Sequence, residues 1–313
     1  MFESKMRTCG LALIASTAFI AAAPAQANVI GYYSTVFDTD WATAGTGGLR
    51  GGSGTITVSG VTGTVNQSLL YWQGPTNTTD PNAMANIQVN GSPITGTNIG
   101  FSSDNFWGRL NGQAYRADTT ATINGNGAYT LSGFNTSTTT GNGAGAALFF
   151  KDADTTNNRD VVIFNGNDSN FATTYDPAGW DITLNGINYS GGQAFLRLFV
   201  SDGQNFSAND DGTLKVNGVP IASGGLFQGD SLPGTSVGNG NLFDIKSYDI
   251  TSLLVPGSNS LHITLDDGFN DALSAITAFI DLPAGAAPIP EPGALALLGL
   301  GAAGLLAQRR KTA

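Results

Sequence analysis

Apolar and polar positions alternate in short runs along most of this chain. Ile56 and Val58 alternate with Thr55, Thr57 and Ser59; Leu261, Ile263 and Leu265 alternate with His262 and Thr264. A period of two belongs to a strand with one buried face. The pattern predicts strands near 54–61, 68–73, 85–90, 113–123, 128–134, 145–151 and 160–165, separated by turns. Asn90-Gly91 follows Val89, and Asn217-Gly218 follows Val216. Asn-Gly tolerates the positive φ of a tight hairpin turn, so each pair reads as a strand end.

The pattern also repeats. Thr55–Val61 resembles Asp181–Ile187, Ser68–Trp72 falls against Leu196–Val200, and Val89–Ile94 falls against Val216–Ile221. Asp118-Thr119-Thr120 falls against Asp249-Ile250-Thr251, and Ala147–Phe150 against Thr277–Ile280, always in the same order at offsets of 126 to 131. Colinearity of this kind predicts an internal duplication. With about seven short strands per copy and no long helical period, the expected fold is all-β: two tandem β-sandwich modules of jelly-roll type. The expected bounds are 28–165 and 170–285, divided by the Asn-, Ser- and Gly-rich stretch near Gly166 to Gly179.

Both ends depart from this pattern. Lys5 and Arg7 precede an apolar run from Leu11 to Ala23, followed by Ala25-Gln26-Ala27. A basic start, a short apolar run and a small-x-small site predict a secretory signal peptide over 1–27, cleaved after Ala27. Near the other end, Pro290-Glu291-Pro292 precedes the uncharged stretch 293–307 and then Arg309-Arg310-Lys311. As a helix those 15 residues would span roughly 22 Å, short of the roughly 30 Å hydrocarbon core. The basic cluster would stay cytoplasmic and leave the body outside, in agreement with the signal peptide.

Segment 288–313 resembles the PEP-CTERM sorting signal, with Pro290, Glu291, Pro292, Arg309, Arg310 and Lys311 carrying the likeness. The resemblance implies a short C-terminal hydrophobic helix, processing by an exosortase-type peptidase and transient residence in the inner membrane. It further implies a Gram-negative bacterium that makes exopolysaccharide, with the protein displayed at the cell surface or released outside. It supplies an address and leaves the activity of the body open. Within the body, Tyr248–Leu261 resembles a segment of the jelly-roll sugar-binding domains appended to glycosidases. That likeness bears on fold more than on sugar binding.

Composition narrows the chemistry. The body from Asn28 to Ala287 holds 21 Asp, no Glu and 8 Lys and Arg, a net charge of −13. So acidic a surface excludes nucleic acid as a partner. Cys9 is the only cysteine and lies in the signal segment, so the mature body has no thiol chemistry, disulfide or Cys-based metal site. His262, the only histidine, alternates out of phase with its apolar neighbours and should face solvent. No Gly-x-Ser-x-Gly elbow accompanies it in a strand-to-helix context.

Paired Asp residues could serve a glycoside hydrolase, but Asp in Gly- and Asn-rich loops usually shapes turns and is expected to be solvated. The same loops offer oxygen ligands for a structural calcium ion, with Asp152, Asp154, Asp210 and Asp211 as candidates. No other cofactor is expected. For a ligand the best candidates are Trp107 and Arg109, in a loop before a strand; the alternative is that Trp107 closes one end of a core. The leading expectation is a non-catalytic structural or adhesive surface protein associated with extracellular polysaccharide. A carbohydrate-binding module is the alternative, and a glycoside hydrolase is third.

Overall fold

The structure is a computed structural model that describes residues 30–103, 108–134, 140–205, 211–234, 240–266 and 271–285. The described chain is all-β, with two single-turn 3-10 segments at Leu49–Gly51 and Thr251–Leu253. The expected C-terminal helix lies outside the described residues.

The strands are β1 (Gly31–Gly47), β2 (Ser53–Val58), β3 (Thr64–Thr76), β4 (Asn86–Val89), β5 (Ser92–Thr95), β6 (Thr97–Ser102), β7 (Asn111–Asp118), β8 (Gly127–Ser132) and β9 (Gly143–Lys151). They continue as β10 (Arg159–Ser169), β11 (Asp181–Tyr189), β12 (Phe195–Ser201), β13 (Thr213–Val216), β14 (Val219–Ser223), β15 (Phe243–Asp249), β16 (Gly257–Asp266) and β17 (Ser274–Pro283).

Two four-stranded sheets have matching orders, β2-β8-β4-β5 and β11-β16-β13-β14. The remaining strands form one hydrogen-bonded series, β15-β12-β17-β10-β1-β9-β3-β7-β6. β1 holds that series together by changing partners. Its residues through Thr39 pair with β10, and from Asp40 onward they pair with β9. Asp38 sits at the change with φ 52°, beside a register shift between Val36 and Thr39. An irregularity of this kind bends a strand and raises its twist. Here it lets one strand leave one sheet and enter another. Asp38 is tied down on all sides: its N–H donates to Asp160 Oδ1, and its carboxylate accepts from Lys151 and Asn158.

Bending at β1 folds the long series into two inner sheets that face each other, giving four layers and three cores. Ile56, Leu70, Trp72, Tyr115, Leu131 and Leu148 fill the first core, between the β2 sheet and the β3 strands. Leu69, Tyr71, Phe149, Ile163, Phe199 and Phe279 fill the middle core, between the two inner sheets. Phe164, Ile182, Leu196, Leu214, Ile263 and Ile280 fill the third. An inner strand therefore buries both faces, and its alternate residues serve different cores: Leu70 and Trp72 look one way, Leu69 and Tyr71 the other. The Gly-Ala run of β9 reflects this crowding. A Cβ on Gly145 would lie 2.6 Å from the Phe199 ring, and one on Gly143 would lie 2.3 Å from Phe243 Cβ.

β10 contains the expected end of the first module, yet it pairs with β17 and β1. It therefore stands in the inner sheet with β12, β15 and β17. Ser68 receives the N–H of Thr119 on its carbonyl and donates its own N–H to Thr120 Oγ1. Ala194 makes the same two bonds with Ile250 and Thr251. Ser68 and Ala194 thus share one local hydrogen-bond pattern, whereas the sequence pattern sets Ser68 against Leu196. A slip of two residues preserves both faces of a strand, so hydrophobic alternation could not detect it.

A buried polar bridge joins the layers at one end. Gln73 Oε1 accepts from Asn142 Nδ2 and Ser201 Oγ, and Asn142 Nδ2 also reaches Asp202 Oδ1 at 3.3 Å. Arg50 lies within the field of Asp202, and burial lowers its pKa to about 10. Strands β3 and β12 are thereby linked by hydrogen bonds as well as by packing.

Candidate functional site

The residues singled out from sequence are scattered. Ala25, Ala27, Trp107, Asp210, Pro290, Glu291, Pro292, Arg309, Arg310 and Lys311 lie outside the described residues. Arg109 is half-buried at the turn into β7, next to the exposed Leu110. Asp152 and Asp154 form consecutive turns. Asp152 Oδ1 accepts the Asp154 N–H and Oδ2 accepts from Thr62 Oγ1, while Asp154 Oδ1 accepts the Thr156 hydroxyl and N–H. Those two bonds from Thr156 hold the Asp154 carboxyl below its usual pKa. Among the described residues no three acidic, histidine or cysteine side chains form a metal-ligating group.

Asp211 is buried and turns inward. Its Oδ2 accepts the N–H groups of Leu226 and Phe227, at 2.6 and 2.8 Å. It belongs to a set of buried acids that overturns the expectation of solvated loop carboxylates. Asp244, fully buried on β15, accepts from Gly229 N and from the N–H and hydroxyl of Ser231. Asp271, 4% exposed, accepts the Gln204 N–H. Burial, then repulsion from Asp211 and Asp244, outweighs that bond and raises its pKa to about 8. These carboxylates fold loops by satisfying orphan N–H groups that would be costly if buried unpaired. The sequence held one clue, Asp244 between Phe243 and Ile245. An acid inside a strand whose two faces are both covered must be buried.

Asp168 extends this set near the end of β10. It is 3% exposed, and its main-chain carbonyl accepts Trp180 Nε1 at 2.7 Å. Its carboxyl touches that of Asp176, in the loop that leads to β11. Burial and this contact raise the Asp168 pKa to about 10. Asp176 Oδ1 accepts the Ala178 N–H, and the Asp176 N–H donates to Thr173 Oγ1.

His262 lies on the outer face of β16, as its phase predicts, with its ring on Asp181. Ser260 lies two residues away on the same face, but its hydroxyl is engaged by Asn185 Oδ1 at 2.9 Å. A Ser-His-Asp relay needs that hydroxyl on the imidazole. Trp72 and Trp180 are buried, and Trp41 is half-buried against Phe149 and Phe279 beneath the Arg197 guanidinium. On the same seam between the inner sheets, Arg116 covers the Tyr33 ring at 3.5 Å. Among the described residues the aromatic groups are thus committed mainly to packing.

Residues 288–311 match the PEP-CTERM protein-sorting motif. No curated protein matches the chain. Among solved structures, the chain is similar to a peptide-N(4)-(N-acetyl-β-D-glucosaminyl)asparagine amidase, at 11% identity and a TM-score of 0.32, over 83% of this chain and 97% of that one. It is similar to a chain of Sulfolobus turreted icosahedral virus, at 10% identity and a TM-score of 0.27, over 80% and 91% of the two chains. At this level neither likeness carries an argument about activity.

Proposed function

Residues 288–311 are a PEP-CTERM protein-sorting motif, and from that premise we propose that the chain is a non-catalytic structural or adhesive component of the cell surface, associated with extracellular polysaccharide. The motif marks an exported protein, held transiently at the membrane and sorted through an exosortase-type peptidase. The polysaccharide association and the absence of catalysis are this reading's own additions. The sorting motif is the observation that carries it. Two features of the body support it. The described tryptophans serve the packing, and many of the acids are spent on loops and turns.

We read the body as two copies of one module. The matching orders of the two outer sheets support this, as do the equivalent bonds at Ser68 and Ala194. Two joined modules suit a load-bearing or spacing element, since the polar bridge and the middle core hold them as one body.

The test is to express the full chain in a host with and without an exosortase and analyse the envelope protein by mass spectrometry. A start at Asn28 in both hosts, with loss of peptides from 293–313 only when the peptidase is present, is the expected result. An intact tail in both hosts would defeat the sorting reading. Retention of the exported protein on the host's own polysaccharide then tests the association, and free elution would defeat that part alone.

A further inference from the structure

We propose that Asp168 and Asp176 form a binding site for a divalent cation of the calcium class, which pins the loop 170–180 to the end of β10. Three observations converge on this pair. Asp168 is 3% exposed, and its Oδ1 is buried without a hydrogen-bond partner. Its carboxyl touches the carboxyl of the half-buried Asp176, so two like groups meet and one of them is buried. The other charged group acting on Asp168 is a further acid, Asp181, and that one is engaged by His262. A buried carboxylate without a donor is costly, and two in contact are costlier. Either a proton or a cation must lie between them.

The surroundings suit a hard cation. Both carboxylates offer oxygen alone, and His262 is engaged on Asp181. Oxygen-only sites select calcium or magnesium over transition metals, and calcium accepts the less regular geometry of a loop. Main-chain carbonyls and water would complete the shell around the two carboxylates.

The framework is already ordered. Asn170 is fastened to Leu273 and Asp271, Thr173 closes the turn at Asp176, and Trp180 packs on Phe227 with its indole N–H on Asp168. Little loop ordering would remain to be done when the cation binds. Extracellular sites of this kind work at about 0.1–1 mM calcium.

The experiment uses the exported protein, stripped with chelator and then given about 1 mM calcium or the same concentration of magnesium. The expected result is a rise of several degrees in melting temperature with calcium and a weaker response to magnesium. Asp168→Asn and Asp176→Asn should each abolish the rise. If one variant fails to fold, the other variant decides, together with calcium titration of the wild-type protein by calorimetry. No rise in melting temperature with calcium in the wild-type protein would overturn the proposal. A response that survives both substitutions would place calcium elsewhere and overturn it equally. Neither outcome touches the sorting motif.

Discussion

Tyr71 and Phe199 meet edge to face across the middle of the molecule, with ring centroids 6.0 Å apart and planes at 90°. Tyr71 comes from β3 and Phe199 from β12, so the contact crosses from one inner sheet to the other. Phe199 also packs on Phe243 and Phe279. Phe199→Ala should therefore cost about 3–5 kcal/mol, the usual loss for a buried aromatic. Because the middle core is shared, both halves of the chain should unfold in one transition in the wild-type protein. Chemical denaturation followed by tryptophan fluorescence and by circular dichroism checks both points. Two separated wild-type transitions would mean that the inner sheets are not mutually dependent.

Asp271 should make stability fall as pH rises. Its pKa is raised to about 8, chiefly by burial and then by Asp211 and Asp244. In the unfolded chain the group titrates near 3.9. Its contribution is complete below that value and is lost as pH rises through about 8. Melting temperatures should decline between pH 5 and pH 9, and Asp271→Asn should flatten the decline. A variant with the wild-type slope would remove Asp271 as its source.

The two Asn-Gly turns should respond alike to substitution. Asn90 and Asn217 have φ of 48° and 52°. Each side chain accepts one N–H from a neighbouring strand, that of Thr130 on β8 and that of His262 on β16, at 2.8 Å in both cases. Asn90→Ala and Asn217→Ala each lose that acceptor and meet the cost of a left-handed conformation. About 1–2 kcal/mol is expected at either site. Glycine, which tolerates the backbone, should cost less. Equilibrium unfolding of the four variants measures the difference.

His262 should prove dispensable. Its side chain and that of Asp181 are 44% and 58% exposed, and exposed ion pairs contribute little. His262→Ala should change stability by less than about 0.5 kcal/mol and leave surface display intact. Hydrolysis of a polysaccharide or ester by the wild-type protein, lost in this variant, would contradict the non-catalytic reading.

The sequence by itself determined the clearly alternating strands, the Asn-Gly turns and the address, but it named no strand over β1, Gly31–Gly47. Alternation at Ile56/Val58 and Leu261/Ile263/Leu265 is a local consequence of one buried face, and Asn-Gly turns depend on backbone φ alone. The sorting motif is likewise a linear signal, complete within residues 288–311. Tertiary structure decided how many faces each strand buries. Leu69 and Tyr71 look like the outer positions of a half-exposed strand until a second sheet covers them. That sheet arrives only because β1 bends at Asp38 and changes partners. The fate of the acids followed from the same layering. Asp152 and Asp154 stayed in surface turns, while Asp168, Asp211, Asp244 and Asp271 were enclosed. Apart from Asp244, flanked by Phe243 and Ile245, they occur in similar polar surroundings, so no local pattern separates them. What separates them is whether distant strands close over the loop and leave N–H groups, or a second carboxyl, facing the acid.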